Sequence, residues 1–247
     1  MGVDVAKDCQ EINVHHVSFA RPKGSVYYAS LPCGPCAAET LKGCRMNRAG
    51  DKHRLVSILW DHTAATESSL WKCSKFSNRA AFPLQVVCGV LGRPHLMVGE
   101  CRGPAISFSE GGGKVWAALC GDDSEIGIDV AGTNDFQREY PFHRVFHAQE
   151  IRNALGLADG NLEKASALLW SIKEAVVKAL GCAFHLVDPR QITVYPSMGE
   201  EGIYTFPVGL SRRALEQFPI GVSRSIWVRS FPQAKTWLSI ALFNRQP

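Results

Sequence analysis

LWSIKEAVVKALG, residues 169–181, has the apolar spacing of an amphipathic helix. At about 100° per residue, the apolar side chains of this stretch and of the residues just before it form one stripe. The members of the stripe are Ala165, Leu168, Leu169, Ile172, Ala175, Val176 and Ala179. Asn161 is the predicted N-cap, and Gly181 suits the position just after the last turn. The pattern predicts one helix between these two residues.

The polar side of this predicted helix carries Trp170, Glu174 and Lys178, which are spaced four residues apart. A glutamate and a lysine at i and i+4 often form a solvated pair that stabilises the helix by a few tenths of a kcal/mol. The helix alone therefore leaves two interpretations open, a surface ion pair and a functional pair.

An acidic strand precedes the helix at EIGIDV, residues 125–130. Ile126, Ile128 and Val130 alternate with Gly127 and Asp129, which predicts a β-strand. Asp129 then shares a face with Gly127, which has no side chain. We expect the space beside the Asp129 carboxylate to accommodate a bulky anion and a metal ion.

Together the two stretches resemble a known family. GIDV at 127–130, followed by the pattern WxxKEAxxKxxG at 170–181, resembles the 4′-phosphopantetheinyl transferases. The resemblance is to the larger, single-chain type that acts on carrier proteins of polyketide and nonribosomal peptide synthesis, and it extends over roughly residues 84–195. It implies an α+β fold of two similar halves, a pseudo-dimer, with the active site in the cleft between them. We place the halves at 1–122 and 123–247, with the metal site in the second.

The resemblance also implies the chemistry. The enzyme would be a holo-[acyl-carrier-protein] synthase that moves the 4′-phosphopantetheine arm of CoA to a serine of an apo carrier protein and releases 3′,5′-ADP. Asp129 and Glu174 would be Mg²⁺ ligands, and Lys178 would bind the bridging phosphate. Glu174, or a water on the metal, would be the base for the serine.

Two further stretches match CoA-contacting parts of the family. Gly92-Arg93-Pro94 corresponds to a Gly-Lys-Pro turn beside the nucleotide, and Ser109 corresponds to a family serine. The resemblance therefore implies CoA contacts for Arg93, Pro94, Ser109 and Lys178. Further contacts would come from basic residues of the first half, and the sequence singles out none of the candidates Arg45, Arg48, Lys52, Arg54 and Arg79.

Two positions depart from the family pattern. Glu110 stands where the family has a histidine that helps to hold a CoA phosphate, and Ala131 stands where many members have a second acid. We predict that Glu110 replaces the missing acid by joining the metal site. The alternative is that Glu110 points to solvent and the histidine contact is lost.

Composition limits the partners. A net charge of +4 without a dense Lys/Arg run gives no indication of a nucleic-acid groove. No apolar run reaches the length of a membrane span, and the first residues lack a signal core. We expect a cytoplasmic monomer whose partners are CoA and an apo acyl or peptidyl carrier protein.

Two other functions stay open. One is a transferase-like protein that binds CoA or carrier protein without turnover, because of Glu110 and Ala131. The other is a thiol or zinc protein centred on Cys33 and Cys36, with Cys9 and Cys44 as partners. A single CxxC without a second pair does not complete a tetrahedral zinc site, and we expect the nine cysteines to be reduced thiols.

Overall fold

The computed structural model describes residues 12–20, 23–33, 43–66, 83–89, 92–121, 124–137, 140–182, 184, 186–198, 202–217 and 226–244. Helices and antiparallel sheets together occupy these ranges, which confirms the predicted α+β class. In chain order the elements are β1 (His15–Ala20), β2 (Lys23–Pro32), α1 (Gly43–Thr66), β3 (Leu84–Cys88), β4 (Pro94–Val98), β5 (Cys101–Arg102), β6 (Ile106–Gly111), β7 (Lys114–Cys120), β8 (Ser124–Gly132), α2 (Phe142–Val145), α3 (Ala148–Leu157), α4 (Leu162–Leu180), β9 (Ile192–Val194), β10 (Tyr204–Leu210), α5 (Arg212–Gln217), β11 (Ile226–Pro232) and β12 (Thr236–Asn244).

Two larger sheets form the body of the protein. The N-terminal sheet has the strand order β1-β2-β7-β6, and the C-terminal sheet has the order β8-β12-β11-β10-β9. A small third sheet contains β3, β4 and β5. Neighbouring strands are antiparallel throughout.

Each larger sheet has a helix on one face and the other sheet on its opposite face. Leu55 and Leu59 of α1 are buried against the N-terminal sheet, and the apolar stripe of α4 is buried against the C-terminal sheet. The remaining faces share a third cluster, to which Trp116 and Leu238 belong. This burial of apolar side chains is the main favourable contribution to folding.

The alternation of β8 places its two kinds of residue on different faces, as the sequence predicts. Ile126, Ile128 and Val130 enter the cluster between the sheets. Asp129 turns the other way, towards α4, where it meets Lys178. The period of two along a strand is the cause.

The space beside Asp129 differs from the expectation. A β-carbon on Gly127 would overlap the carbonyl oxygen of Ala175, because the backbone of α4 crosses β8 at this point. The expected room for an anion and a metal ion at Gly127 is therefore wrong. The glycine instead allows the helix to approach the strand closely, which brings the polar side of α4 to Asp129.

Serine hydroxyls join the two larger sheets where β6 meets β8. The backbone N–H of Ile128 donates to Ser107 Oγ at 3.1 Å, and that of Val130 donates to Ser109 Oγ at 3.1 Å. These bonds satisfy the N–H groups of β8 on its open edge, where they would otherwise lack a partner. They also bring β6, from the N-terminal sheet, next to Asp129.

A buried ion pair fixes the other side of α4. Lys173 is fully buried, and its Nζ lies 3.0 Å from the carboxylate of Glu150 on α3. The same ammonium donates to the carbonyls of Pro189 at 2.8 Å and Ile192 at 2.7 Å. Burial lowers the pKa of Lys173, and Glu150 opposes that shift. The pair ties α4 to α3 and to the start of β9.

The structure confirms the predicted caps at the two ends of α4. Asn161 accepts from the backbone N–H of Lys164 at 2.6 Å, and Gly181 ends α4 with φ of 75°. Gly112 and Gly113, both with positive φ, form the turn of the β6–β7 hairpin. α1 begins at Gly43.

The predicted boundary between the halves falls at residues 122 and 123, outside the described residues, so the division at that point and the similarity of the halves stay predictions. In the part of the chain that the structure describes, none of the helices is both long enough and apolar enough to cross a membrane.

Candidate active site

Side chains from β6, β8, α1 and α4 surround a cavity of about 390 Å³, which we call the acidic cavity. Its described lining includes Lys52, Ser109, Glu110, Asp129, Glu174 and Lys178. The predicted site residues Ser109, Glu110, Asp129, Glu174 and Lys178 therefore line one cavity, although they come from distant parts of the sequence.

Asp129 has a fixed orientation at the floor of the acidic cavity. It is buried, with 4% of its surface exposed. Its Oδ1 accepts from the Ser109 hydroxyl at 2.9 Å and lies 2.7 Å from Lys178 Nζ. Because the Ser109 hydroxyl also accepts from the N–H of Val130, the serine, the strand and the carboxylate form one connected unit.

Lys178 lies between two carboxylates. Besides Asp129, its ammonium is 3.9 Å from Glu174 Oε1, one turn earlier on α4, and it donates to the carbonyl of Ile128 at 3.2 Å. The pair Glu174–Lys178 is therefore not a solvated pair on an open helix surface. It faces a cavity that contains a second acid.

Glu174 has the perturbed pKa that is common in active sites. Burial raises the pKa of Glu174, and the nearby negative charge of Asp129 raises it further, while Lys178 and a hydrogen bond from Trp170 oppose the shift. A carboxylate with a raised pKa is a stronger base than an ordinary surface glutamate. Burial raises the pKa of Tyr140, and the nearby negative charge of Glu174 raises it further.

Arg93 and Pro94 line an adjoining cavity, also of about 390 Å³, which we call the Arg93 cavity. Glu174 and Lys178 line this cavity as well, so the two spaces meet at the polar side of α4. The Arg93 guanidinium forms an ion pair with Glu125 at the start of β8. A β-carbon on Gly181 would contact this guanidinium, so the glycine that ends α4 also makes room for Arg93.

Cys182 lies beside Arg93 in the same cavity. Burial raises the pKa of Cys182 to about 11, and Arg93 opposes the shift. The thiol is therefore protonated at neutral pH and is a poor nucleophile.

Glu110 lies on the wall of the acidic cavity, where its Oε1 is 3.2 Å from Lys52 Nζ. In the part of the chain that the structure describes, no three His, Cys, Asp or Glu side chains are grouped closely enough to hold a metal ion. Asp129 and Glu174 are the carboxylates on either side of Lys178, and these two could hold a divalent cation together with ligand oxygens. The role of Glu110 as a third ligand stays a prediction.

Lys52 and Asp135 are lining residues that sequence reasoning did not single out. Lys52 was one of five basic candidates in the first half, and its position depends on how α1 packs on the N-terminal sheet. Asp135 follows β8 in a short helical turn and accepts from the backbone N–H of Gly132 at 3.0 Å. No local pattern distinguishes either residue from ordinary surface charge.

A larger cavity, of about 1000 Å³, lies on the far side of Asp135 and is lined by Tyr140, Asn161, Glu163 and Lys164 among others. None of the predicted site residues lines it. We therefore identify the site by its paired carboxylates and the raised pKa of Glu174, not by volume.

The Cys33–Cys36 pair falls partly outside the described residues. Cys33 is exposed, and its backbone N–H donates to the carbonyl of Gly113 at 2.8 Å. Cys9 and Cys36 lie outside the described residues, and the side chain of Cys44 does too. A zinc or redox role for these cysteines stays untested.

One family model matches a segment in the C-terminal half of the chain. Residues 125–216 match the family model described as the 4′-phosphopantetheinyl transferase superfamily. A comparison with curated proteins finds no match. A solved structure described as the Chronobacterium ammoniagenes ACPS–CoA complex is similar to 50% of this chain over 98% of its own length, with 18% identity and a TM-score of 0.41. The matched segment contains α4 and nearly all of β8, and with them Asp129, Glu174 and Lys178, so these three predicted site residues lie in the part of the chain that is similar to the 4′-phosphopantetheinyl transferase superfamily.

Proposed function

We propose that this protein is a Mg²⁺-dependent holo-[acyl-carrier-protein] synthase of the larger single-chain type. It transfers the 4′-phosphopantetheine arm of CoA to a serine of an apo acyl or peptidyl carrier protein and releases 3′,5′-ADP. The observation that supports this most is the grouping of Asp129, Glu174 and Lys178 on one cavity, within the segment that matches the superfamily model.

The reaction needs positive charge near the pyrophosphate. The serine oxygen forms a bond to the β-phosphorus of CoA, and the bond from that phosphorus to the bridging oxygen breaks. The electron pair of the broken bond leaves with 3′,5′-ADP. Lys178 faces both cavities, so its ammonium can donate to the bridging oxygen as negative charge develops there.

The serine proton needs an acceptor, and we assign it to Glu174. Burial, the larger cause of its raised pKa, makes Glu174 accept a proton more readily than a solvated glutamate. Asp129 stays fixed by Ser109 during this step, because its Oδ1 accepts from that hydroxyl.

Asp129 and Glu174 would hold Mg²⁺, with water and pyrophosphate oxygens as the other ligands. Two carboxylates plus substrate phosphates are a common donor set for this ion. The negative charge of Asp129 already raises the pKa of Glu174, and a cation between them would relieve that repulsion. When bound, the ion supplies positive charge that neutralises the pyrophosphate.

We assign CoA contacts to Arg93, Pro94, Ser109 and Lys178. Arg93 and Pro94 line the Arg93 cavity next to Lys178, which fits a nucleotide that extends from the pyrophosphate into that space. The partner is an apo acyl or peptidyl carrier protein, and the protein acts as a cytoplasmic monomer.

The test is the mass of an apo carrier protein after incubation with the full chain, CoA and Mg²⁺. We expect the carrier to gain one phosphopantetheine, and we expect excess chelator to abolish the gain. Full activity in chelator would contradict the Mg²⁺ requirement. If the chain bound CoA but none of several apo carriers gained mass, the result would favour a second candidate function, a binding protein without turnover. Ala131, which stands in place of a second acid, is the observation that motivates this candidate.

A further inference from the structure

Lys52 and Glu110 form an ion pair where the acidic cavity meets the Arg93 cavity. Lys52 comes from α1 and lines both cavities. Its Nζ is 3.2 Å from Glu110 Oε1 and 5.7 Å from the centre of the Phe108 ring. The side chains of Lys52 and Glu110 are 33% and 31% exposed, so neither is enclosed by the protein.

The charge of the acidic cavity makes this pair important. Among the described lining residues the acids are Glu110, Asp129, Asp135 and Glu174, and the basic residues are Lys52 and Lys178. Both lysines are in contact with carboxylates. A polyanionic ligand must therefore compete with an acidic side chain of the protein for each ammonium group.

The two competing carboxylates differ in exposure. Asp129 has 5% of its side chain exposed and accepts from Ser109 in addition to Lys178. Glu110 is far more exposed and lies next to the turn at Gly112 and Gly113. Because its side chain is the more exposed of the two, Glu110 is the acid that a ligand in the cavity can approach more easily.

We propose that Lys52 binds a phosphate group of the CoA donor and that Glu110 competes with this phosphate for Lys52. Glu110 then weakens donor binding instead of supporting it. This inference rests on the proposed function for its ligand, CoA. It concerns binding before the chemical step, so it predicts a change in the Kd of CoA.

The experiment measures the Kd of CoA by calorimetry, with Mg²⁺ present, for the parent chain and for Glu110→Gln, Lys52→Met and the double variant. We expect Glu110→Gln to tighten binding by about twofold to fivefold, the range of a partly exposed ion pair. Lys52→Met should weaken binding. In the Lys52→Met background, Glu110→Gln should tighten CoA binding by no more than about 1.5-fold, because the ammonium group for which Glu110 and the phosphate compete is then absent.

A matched control separates the local contact from total charge. Glu216→Gln makes the same chemical change in a pair with Arg212 that lies outside both cavities, at 3.0 Å. It should leave the Kd of CoA unchanged. The gain from Glu110→Gln should shrink when NaCl rises from about 0.05 M to about 0.5 M, because salt screens exposed charges.

Three results would overturn the inference alone. Tightening of equal size in the Lys52→Met background would mean that Glu110 repels the ligand without Lys52. Weaker binding together with a raised Mg²⁺ requirement in Glu110→Gln would support Glu110 as a metal ligand. A parent chain that binds CoA while Glu110→Gln leaves the Kd unchanged would remove the competition and leave the proposed function intact. Absence of CoA binding by the parent chain would instead contradict both.

Discussion

Two lysines five positions apart on α4 have opposite environments. Lys173 has no exposed side-chain surface, and its partners are Glu150 and backbone carbonyls. Lys178 is 26% exposed and lies between Asp129 and Glu174 at a cavity. Lys173 therefore has only protein groups as partners, whereas Lys178 is accessible from a cavity.

The difference shows how one helix combines support and chemistry. A buried ion pair stabilises little in net terms, because desolvation offsets the attraction, but it is costly to break. Lys173–Glu150 therefore serves to position α4. The cavity group instead contains two carboxylates close enough that one raises the pKa of the other, which is a sign of a functional site.

Removal of a cavity charge should have the largest effect, on rate. Asp129→Asn, Glu174→Gln and Lys178→Met should each slow carrier modification by on the order of a thousandfold, because each removes charge stabilisation or the base. Initial rates from intact-protein mass spectrometry and far-UV circular dichroism measure activity and folding separately. A variant that is folded and as fast as the parent would take its residue out of the site.

Removal of the buried charge should reduce stability instead. Lys173→Met leaves the Glu150 carboxylate buried without its cation, so we expect the free energy of unfolding in urea to fall by about 3 kcal/mol. Adding Glu150→Gln should recover part of the loss. Lys164→Met makes the same change in an exposed pair on the same helix, with Asp159 at 2.7 Å, and should cost less than about 1 kcal/mol. Equal losses in Lys173→Met and Lys164→Met would contradict the contrast.

Glu174 should lower the stability of the folded chain at pH values where its carboxyl group is ionised. Its pKa is raised above 4.5 in the folded chain, so the folded state holds the proton more tightly than the unfolded state. Stability then falls as pH rises through the window between the two values. We expect Glu174→Gln to melt at a higher temperature than the parent at neutral pH and at the same temperature below the window. A parent chain that is more stable at neutral pH would show that attraction to Lys178 outweighs burial and Asp129.

The cysteine pair should have the smallest effect. Cys33 and Cys36 have no assigned role around Lys173 or Lys178. Replacing both cysteines by serine should therefore keep the rate of carrier modification within about twofold of the parent. Metal analysis of the purified parent should find no stoichiometric zinc. Loss of carrier modification in the double variant would return the thiol interpretation to consideration.

Sequence patterns predicted the parts that depend on local spacing. The apolar stripe and the caps of α4 follow from helix periodicity, and the orientation of Asp129 follows from strand alternation. The grouping of Asp129, Glu174 and Lys178 was predicted by resemblance, since no periodic pattern relates a strand to a helix so much later in the chain.

The remaining features depend on contacts between distant elements. Gly127 was expected to leave space for a ligand, but the space is taken by the backbone of α4, which only the packing angle of helix on strand reveals. Lys173 looks like any polar residue of a helix until Glu150 and the two carbonyls are placed around it. Lys52 and Glu110 likewise meet through the packing of α1 on the N-terminal sheet.

We propose above that the residues of the acidic cavity catalyse transfer of phosphopantetheine from CoA to a carrier-protein serine. The most direct test quantifies two products in one reaction: 3′,5′-ADP by chromatography, and the modified serine of the carrier by tandem mass spectrometry. We predict that both form in a one-to-one ratio with the parent chain, that both disappear with Lys178→Met, and that neither forms with a carrier whose acceptor serine is replaced by alanine. A mass gain without 3′,5′-ADP, or one that a reducing agent reverses, would contradict the claim, because it would indicate a disulfide between CoA and a carrier cysteine instead of transfer to serine.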